Sequence, residues 1–85
     1  MVYVGIGEYK YGRMIMSHMI ADSINELHEM ADILGVKRKW FQDKATKPHY
    51  DICKKKKMLA LNYGAKLIND MEIIIKLQTN NHAHG

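Results

Sequence analysis

The chain has a single cysteine, Cys53, which excludes a disulfide framework within one copy and any zinc site built from several cysteines of that copy. A reducing compartment suits such usage. No stretch approaches the roughly 20 consecutive apolar residues that span a bilayer. The amino terminus also lacks a basic segment followed by an apolar run and a small-residue cleavage site. The expectation is a cytoplasmic protein, neither secreted nor membrane-spanning. No internal repeat or low-complexity tract appears, no compact catalytic motif is present, and nothing nominates a nucleophilic serine or gives Cys53 the basic partners of a nucleophilic thiol.

What is present is ordinary globular composition, 47% hydrophobic and 26% charged, which implies a packed core. Its 85 residues make one domain, and a chain so short buries only about 60% of its unfolded surface. That marginal burial, with the methionine-rich segment Met14, Met16 and Met19, predicts a homo-oligomer. Thirteen Lys and Arg against nine Asp and Glu leave a formal charge of +4, mildly favourable for anionic ligands. The excess is concentrated in Lys37-Arg38-Lys39 and in Lys54 to Lys57, either solvated faces or ligand contacts.

Val2-Tyr3-Val4 predicts a first strand, Glu8 to Gly12 a polar glycine-bounded loop, and Met14 to Ile20 a second strand with His18 near its carboxyl end. Ser23 with Glu26 is a capping box. The helix it opens buries Ile24, Leu27, Met30, Ala31 and Leu34, leaves His28 on its outer face, and ends at Gly35. Val36 to Gln42 alternates apolar and basic residues and predicts a strand; a loop follows from Asp43 to Pro48. Asp51 or Cys53 caps the next helix, which runs to Tyr63 with Met58, Leu59, Leu61 and Ile52 inward, and Gly64 ends it. Ala65 to Ile68 is a short strand, and a last helix runs through Met71 and the isoleucines to Leu77. The predicted domain is therefore α/β over residues 1–78 in the order ββαβαβα, mostly parallel, with a flexible polar tail over 79–85. His82 and His84 in that tail are weak metal candidates.

In open α/β sheets ligands bind outside the carboxyl ends of strands, near helix starts. The residues that fall there are His18, Trp40, Gln42, His49, Tyr50, Asp51, Lys56 and Lys57. Each has a structural alternative. His18 is a hydrogen-bonded structural histidine or a ligand contact, and His49 a loop contact or a site residue. Trp40 and Tyr50 fill the core or stack on a base. Gln42 and Asp51 hydrogen-bond a base edge or ribose, or Asp51 caps its helix. Lysines in a helix's first turn oppose the helix dipole, and a bound anion such as phosphate would offset that placement. His18, His49 and Asp51 are also the residue types of a two-histidine, one-carboxylate metal site. Their sequence separation fits no compact ligand motif, and neighbouring lysines repel a cation, so no metal or cofactor is expected.

The segments S-H-M-I-A-D-S at 17 to 23, E-L-H-E-M-A at 26 to 31, W-F-Q-D at 40 to 43 and P-H-Y-D at 48 to 51, with Lys56-Lys57 and Gly64-Ala65, resemble a family of small phage and bacterial proteins recorded as a domain of unknown function. The resemblance runs from about Val2 to Ile68. Gly5 and Ile6 stand where members often carry aspartate, and Lys56-Lys57 where they often carry Lys-Arg, which forgoes an arginine's bidentate fork. A phage-type protein implies a host-cytoplasm setting and the sequestering of host components. The function expected is thus binding, rather than turnover, of a phosphate-bearing small molecule of nucleotide type, such as a host defence signal. Two alternatives stand: a nucleotide or nucleic-acid phosphoester hydrolase using His18 or His49 as acid/base, and a basic nucleic-acid-binding module with Trp40 stacking.

Overall fold

The computed structural model describes residues 1–42 and 48–69. Their elements are β1 (Val2–Gly5), β2 (Tyr9–Tyr11), β3 (Met14–Ala21), α1 (Ile24–Leu34), a 3-10 turn (Arg38–Trp40), β4 (Tyr50–Cys53), α2 (Lys54–Asn62) and β5 (Lys66–Ile68). The last predicted helix, the polar tail and most of the predicted 43–48 loop lie outside the described residues. No helix among the described residues is long and apolar enough to cross a membrane.

The long strand β3 organises the sheet. Met16 lies opposite both Tyr9 and Cys53, and Met19 opposite both Val4 and Tyr50. A strand has two hydrogen-bonding edges, so β1 and β2 share one edge of β3 end to end while β4 takes the other. The β1, β2 and β4 pairings with β3 are all antiparallel, and only β5 runs parallel to its neighbour β1. The sheet is mixed, which corrects the mostly parallel expectation. The first three strands need no crossover helix, because β1 and β2 run in line and the chain then turns back along both as β3: Tyr9–Tyr11, expected in a loop, is a strand that reverses into β3 at Gly12, whose φ of 62° suits a residue without Cβ.

Side chains alternate between faces along a strand, and directly opposed residues share a face. Val2, Val4, Met19, Tyr50 and Ile52 therefore meet the helices, packing with Leu27, Met30, Ala31, Leu34 and Ala60 in the main core. Tyr3, Ile20 and Ile68 form a second cluster on the opposite face. His18, between Ser17 and Met19, belongs to that second face.

Helix α1 begins as its capping box predicts, with Ser23 Oγ accepting from the Glu26 amide at 3.2 Å, and Gly35 ends it at φ 77°. Ile24 is exposed, and so is Met58, both expected inward. Helix α2 starts after Cys53 at the N-cap position, which makes no side-chain cap bond; Asp51 lies inside β4 and does not cap. The strand expected over Val36 to Gln42 is instead a 3-10 turn at Arg38–Trp40. Arg38 explains the difference: its guanidinium donates twice to Asp32 on α1, at 2.9 and 3.3 Å, and holds the chain back against the helix that precedes it.

Candidate functional site

The antiparallel pairing of β3 with β4 sets His18 directly opposite Asp51. An isolated antiparallel bridge between Gln42 and His49 extends that hairpin-like edge and fixes His49 two residues before Asp51. Both imidazoles converge on one carboxylate oxygen: His18 Nδ1 lies 3.0 Å and His49 Nε2 3.3 Å from Asp51 Oδ1. The two rings meet edge to face with centroids 5.0 Å apart. Tyr9, on β2, packs its ring 5.3 Å from that of His18. Burial first, and then a hydrogen bond to Asp51 and its negative charge, hold the Tyr9 phenol well above its usual range. Tyr9 thus stays protonated and donates to the same carboxylate. All three of His18, His49 and Asp51 are half-buried, with ligand-type atoms within 4.8 Å of one another.

Tyr9 and Asp51 also face a cavity of about 540 Å³. The β2–β3 hairpin supplies Tyr11, Met14 and Met16 to it; β4 supplies Ile52 and Cys53; the 3-10 segment supplies Lys37, Lys39, Trp40 and Gln42. Trp40 is 58% exposed, and the Lys39 ammonium sits 5.2 Å from its ring centre. This size falls within the range of small-molecule sites, which is about 300–1,000 Å³.

Of the expected residues, the fold brings His18, His49 and Asp51 into one cluster and sets Trp40, Gln42 and Lys56 around the adjoining cavity. Tyr50 and Lys57 do not join them. The Tyr50 ring is fully buried in the main core, with its hydroxyl 2.7 Å from His28 Nδ1. His28, expected in solvent, is half-buried and packs edge-on against Phe41 and Tyr50. Lys57 is 7% exposed and donates to Ser17 Oγ at 3.2 Å and the Ile6 carbonyl at 3.4 Å, with Glu8 3.6 Å away.

Two of the four lysines at the start of α2, Lys56 and Lys57, therefore have partners within the fold. Lys56 Nζ donates to the Leu34 carbonyl at 2.5 Å, placing a cation at the carboxyl end of α1 where the helix dipole favours it. Lys57 is neutralised by Glu8. A bound anion is not required to explain either one. Sequence reasoning missed Tyr9. The alternation Tyr9-Lys10-Tyr11 is a period-two signal, but three residues between glycines read more readily as a loop.

A family model described as a protein of unknown function, DUF4031, matches residues 2–80. The chain belongs to the DUF4031 family. The DUF4031 match extends beyond the Val2–Ile68 resemblance seen in the motifs, and it contains the whole His18–His49–Asp51 cluster. No curated protein and no solved structure matches this DUF4031 chain.

The raised Tyr9 and Tyr50 phenols make a pH prediction. Burial is the leading cause at both. Above the unfolded tyrosine pKa of about 10, the unfolded chain gives up protons that the folded chain keeps, so rising pH favours unfolding. The contribution is complete below about pH 10 and is lost as pH climbs through the folded values. Urea unfolding at a series of alkaline pH values should show a shallower decline for Tyr9→Phe than for the native chain; parallel declines would mean that the fold does not hold the Tyr9 phenol above its usual range.

Proposed function

We propose that this protein binds a phosphate-bearing small molecule that carries a flat ring, a nucleotide being the type of ligand that fits. The observation that supports this reading is the cavity beside Asp51, which has aromatic surface from Trp40 and Tyr11 and two exposed cations, Lys37 and Lys39, on one wall. A ring stacks on tryptophan or tyrosine with modest geometric demands, and cations at the same mouth take phosphate charge. Gln42 and Asp51 supply an amide and a carboxylate for a base edge or ribose hydroxyl. Sequestration of a host signal by a phage-type protein is the biological form this binding would take.

A hydrolase is the second reading, favoured by one observation: Asp51, which lines the cavity, pairs with two imidazoles, an arrangement suited to moving a proton. The two are separated by what leaves the protein. Native mass spectrometry of protein purified from expressing cells is expected to show a phosphate-bearing passenger, released intact on denaturation. Titration of the emptied protein with a panel of nucleotides should quench Trp40 fluorescence, and Lys37→Ala with Lys39→Ala should weaken binding about tenfold or more. No passenger and no quenching across the panel would remove the binding reading; conversion of the nucleotide during the titration would replace it with the hydrolase.

A further inference from the structure

We propose that His18, His49 and Asp51 bind a divalent first-row transition-metal ion, a property beyond the nucleotide-type binding reading and independent of it. The donor set comes first. Two imidazoles and one carboxylate form the ligand set that leaves coordination positions open for water or substrate. Ligand atoms about 2.0–2.2 Å from a common ion lie about 3.0–3.5 Å from each other at right-angled or tetrahedral spacing. The two separations to Asp51 Oδ1, 3.0 and 3.3 Å, fall in that interval, and all three donors lie within 4.8 Å of one another. An ion placed between the imidazoles and the carboxylate would draw the two ring nitrogens together from a separation of no more than 4.8 Å.

The frame around these donors is rigid where a site needs rigidity. His18, on the central strand β3, and Asp51, on β4 beside it, are cross-strand partners, and His49 is held by the Gln42 backbone amide, which donates to its carbonyl at 2.9 Å. Tyr9 supplies an outer-sphere contact, because its phenol donates to the Asp51 carboxylate and orients it. Each histidine binds as the neutral ring: the nitrogen that now faces Asp51 presents its lone pair to the ion, and the proton resides on the other ring nitrogen.

The lysines that argue against a cation in the sequence are placed where they oppose it weakly. Lys56 is bound to the Leu34 carbonyl, and Lys37 and Lys39 are exposed at the cavity's outer wall, where salt screens them. Asp51 belongs to both the cluster and the cavity lining, so open coordination positions would face the space a ligand would fill.

The test uses the full chain, stripped with chelator and titrated with Co2+ and then Zn2+, with no nucleotide present. One Co2+ per chain is expected, with visible ligand-field absorption stronger than that of the aqueous ion, and displacement by Zn2+ should abolish the colour. His49→Ala and the near-isosteric Asp51→Asn should each weaken binding at least about tenfold, and Tyr9→Phe about tenfold through the outer sphere. Circular dichroism establishes that each variant is folded, and Asp51→Asn keeps the test decisive should a histidine variant fail to fold. Failure of the native chain to bind Co2+ overturns the proposal. So does unchanged affinity in folded Asp51→Asn, or loss of binding on changing His82 and His84 to Ala with the cluster intact. Because no nucleotide is present, the outcome is separate from that of the ligand titration.

Discussion

Replacing Tyr50 by alanine is expected to cost about 3–5 kcal/mol, the range for truncating a large buried aromatic. A domain of this length has about 4–13 kcal/mol of total stability by the usual per-residue scaling, so the variant should lose a large share of it and unfold at a much lower urea concentration. The reason is position. Tyr50 is fully buried, lies opposite Met19 in the sheet, and packs against His28 and Phe41 with ring centroids at 5.8 and 5.3 Å. Its loss opens a cavity bounded by β3, α1 and the segment that carries Phe41. Tyr50→Phe keeps the ring and removes only the hydroxyl that pairs with His28 Nδ1, for which about 1 kcal/mol is expected. Urea denaturation of the three proteins measures both steps. A Tyr50→Ala midpoint close to the native one would mean that the aromatic cluster carries little of the fold's stability.

That cluster also shows what kind of information the sequence held. Ser23 and Glu26 marked the start of α1, and Gly35 and Gly64 marked helix ends, because caps are local: a hydroxyl reaches an amide three residues away, and a left-handed turn needs only its own residue. His28 was misread for the opposite reason. By helical spacing it lies beside the buried stripe, and only Tyr50, 22 residues further on, turns its environment from water to a hydrogen-bonded ring packing. The same holds for the site. His18, His49 and Asp51 are each candidates in the sequence, yet about thirty residues separate His18 from the other two and fit no compact motif; strand register makes them neighbours. Pairing direction is not written in the alternation of strands and helices, so the mostly parallel expectation failed where the chain turned at Gly12 and again between α1 and β4.

Lys57 provides the sharpest contrast between the two sources of inference. Its place in a run of four lysines makes it a ligand contact by sequence, whereas its burial makes it a brace, and the two roles predict different losses. The ammonium donates to Ser17 Oγ and to the Ile6 carbonyl, and Ser17 Oγ in turn donates to the Gly7 carbonyl at 3.1 Å. These bonds tie the link between β1 and β2 to β3 and α2. Lys57→Ala removes the ammonium and the packed stem together, and should destabilise the protein by about 2–3 kcal/mol, since Ile6 and Ser17 lose a buried partner. Lys57→Met keeps the stem and should recover about half of that. Glu8 is more than a third exposed, so Glu8→Gln should cost under about 1 kcal/mol. In the nucleotide titration, Lys57→Met should bind as the native chain does while Lys37→Ala with Lys39→Ala does not. A Lys57→Met protein with native stability and weakened nucleotide binding would return this lysine to the ligand and require a mouth of the site on the helix-covered side of the sheet. Loss of stability with affinity intact would leave ligand recognition to the cavity that Tyr9, Trp40 and Asp51 line, with Lys57 as its support from behind.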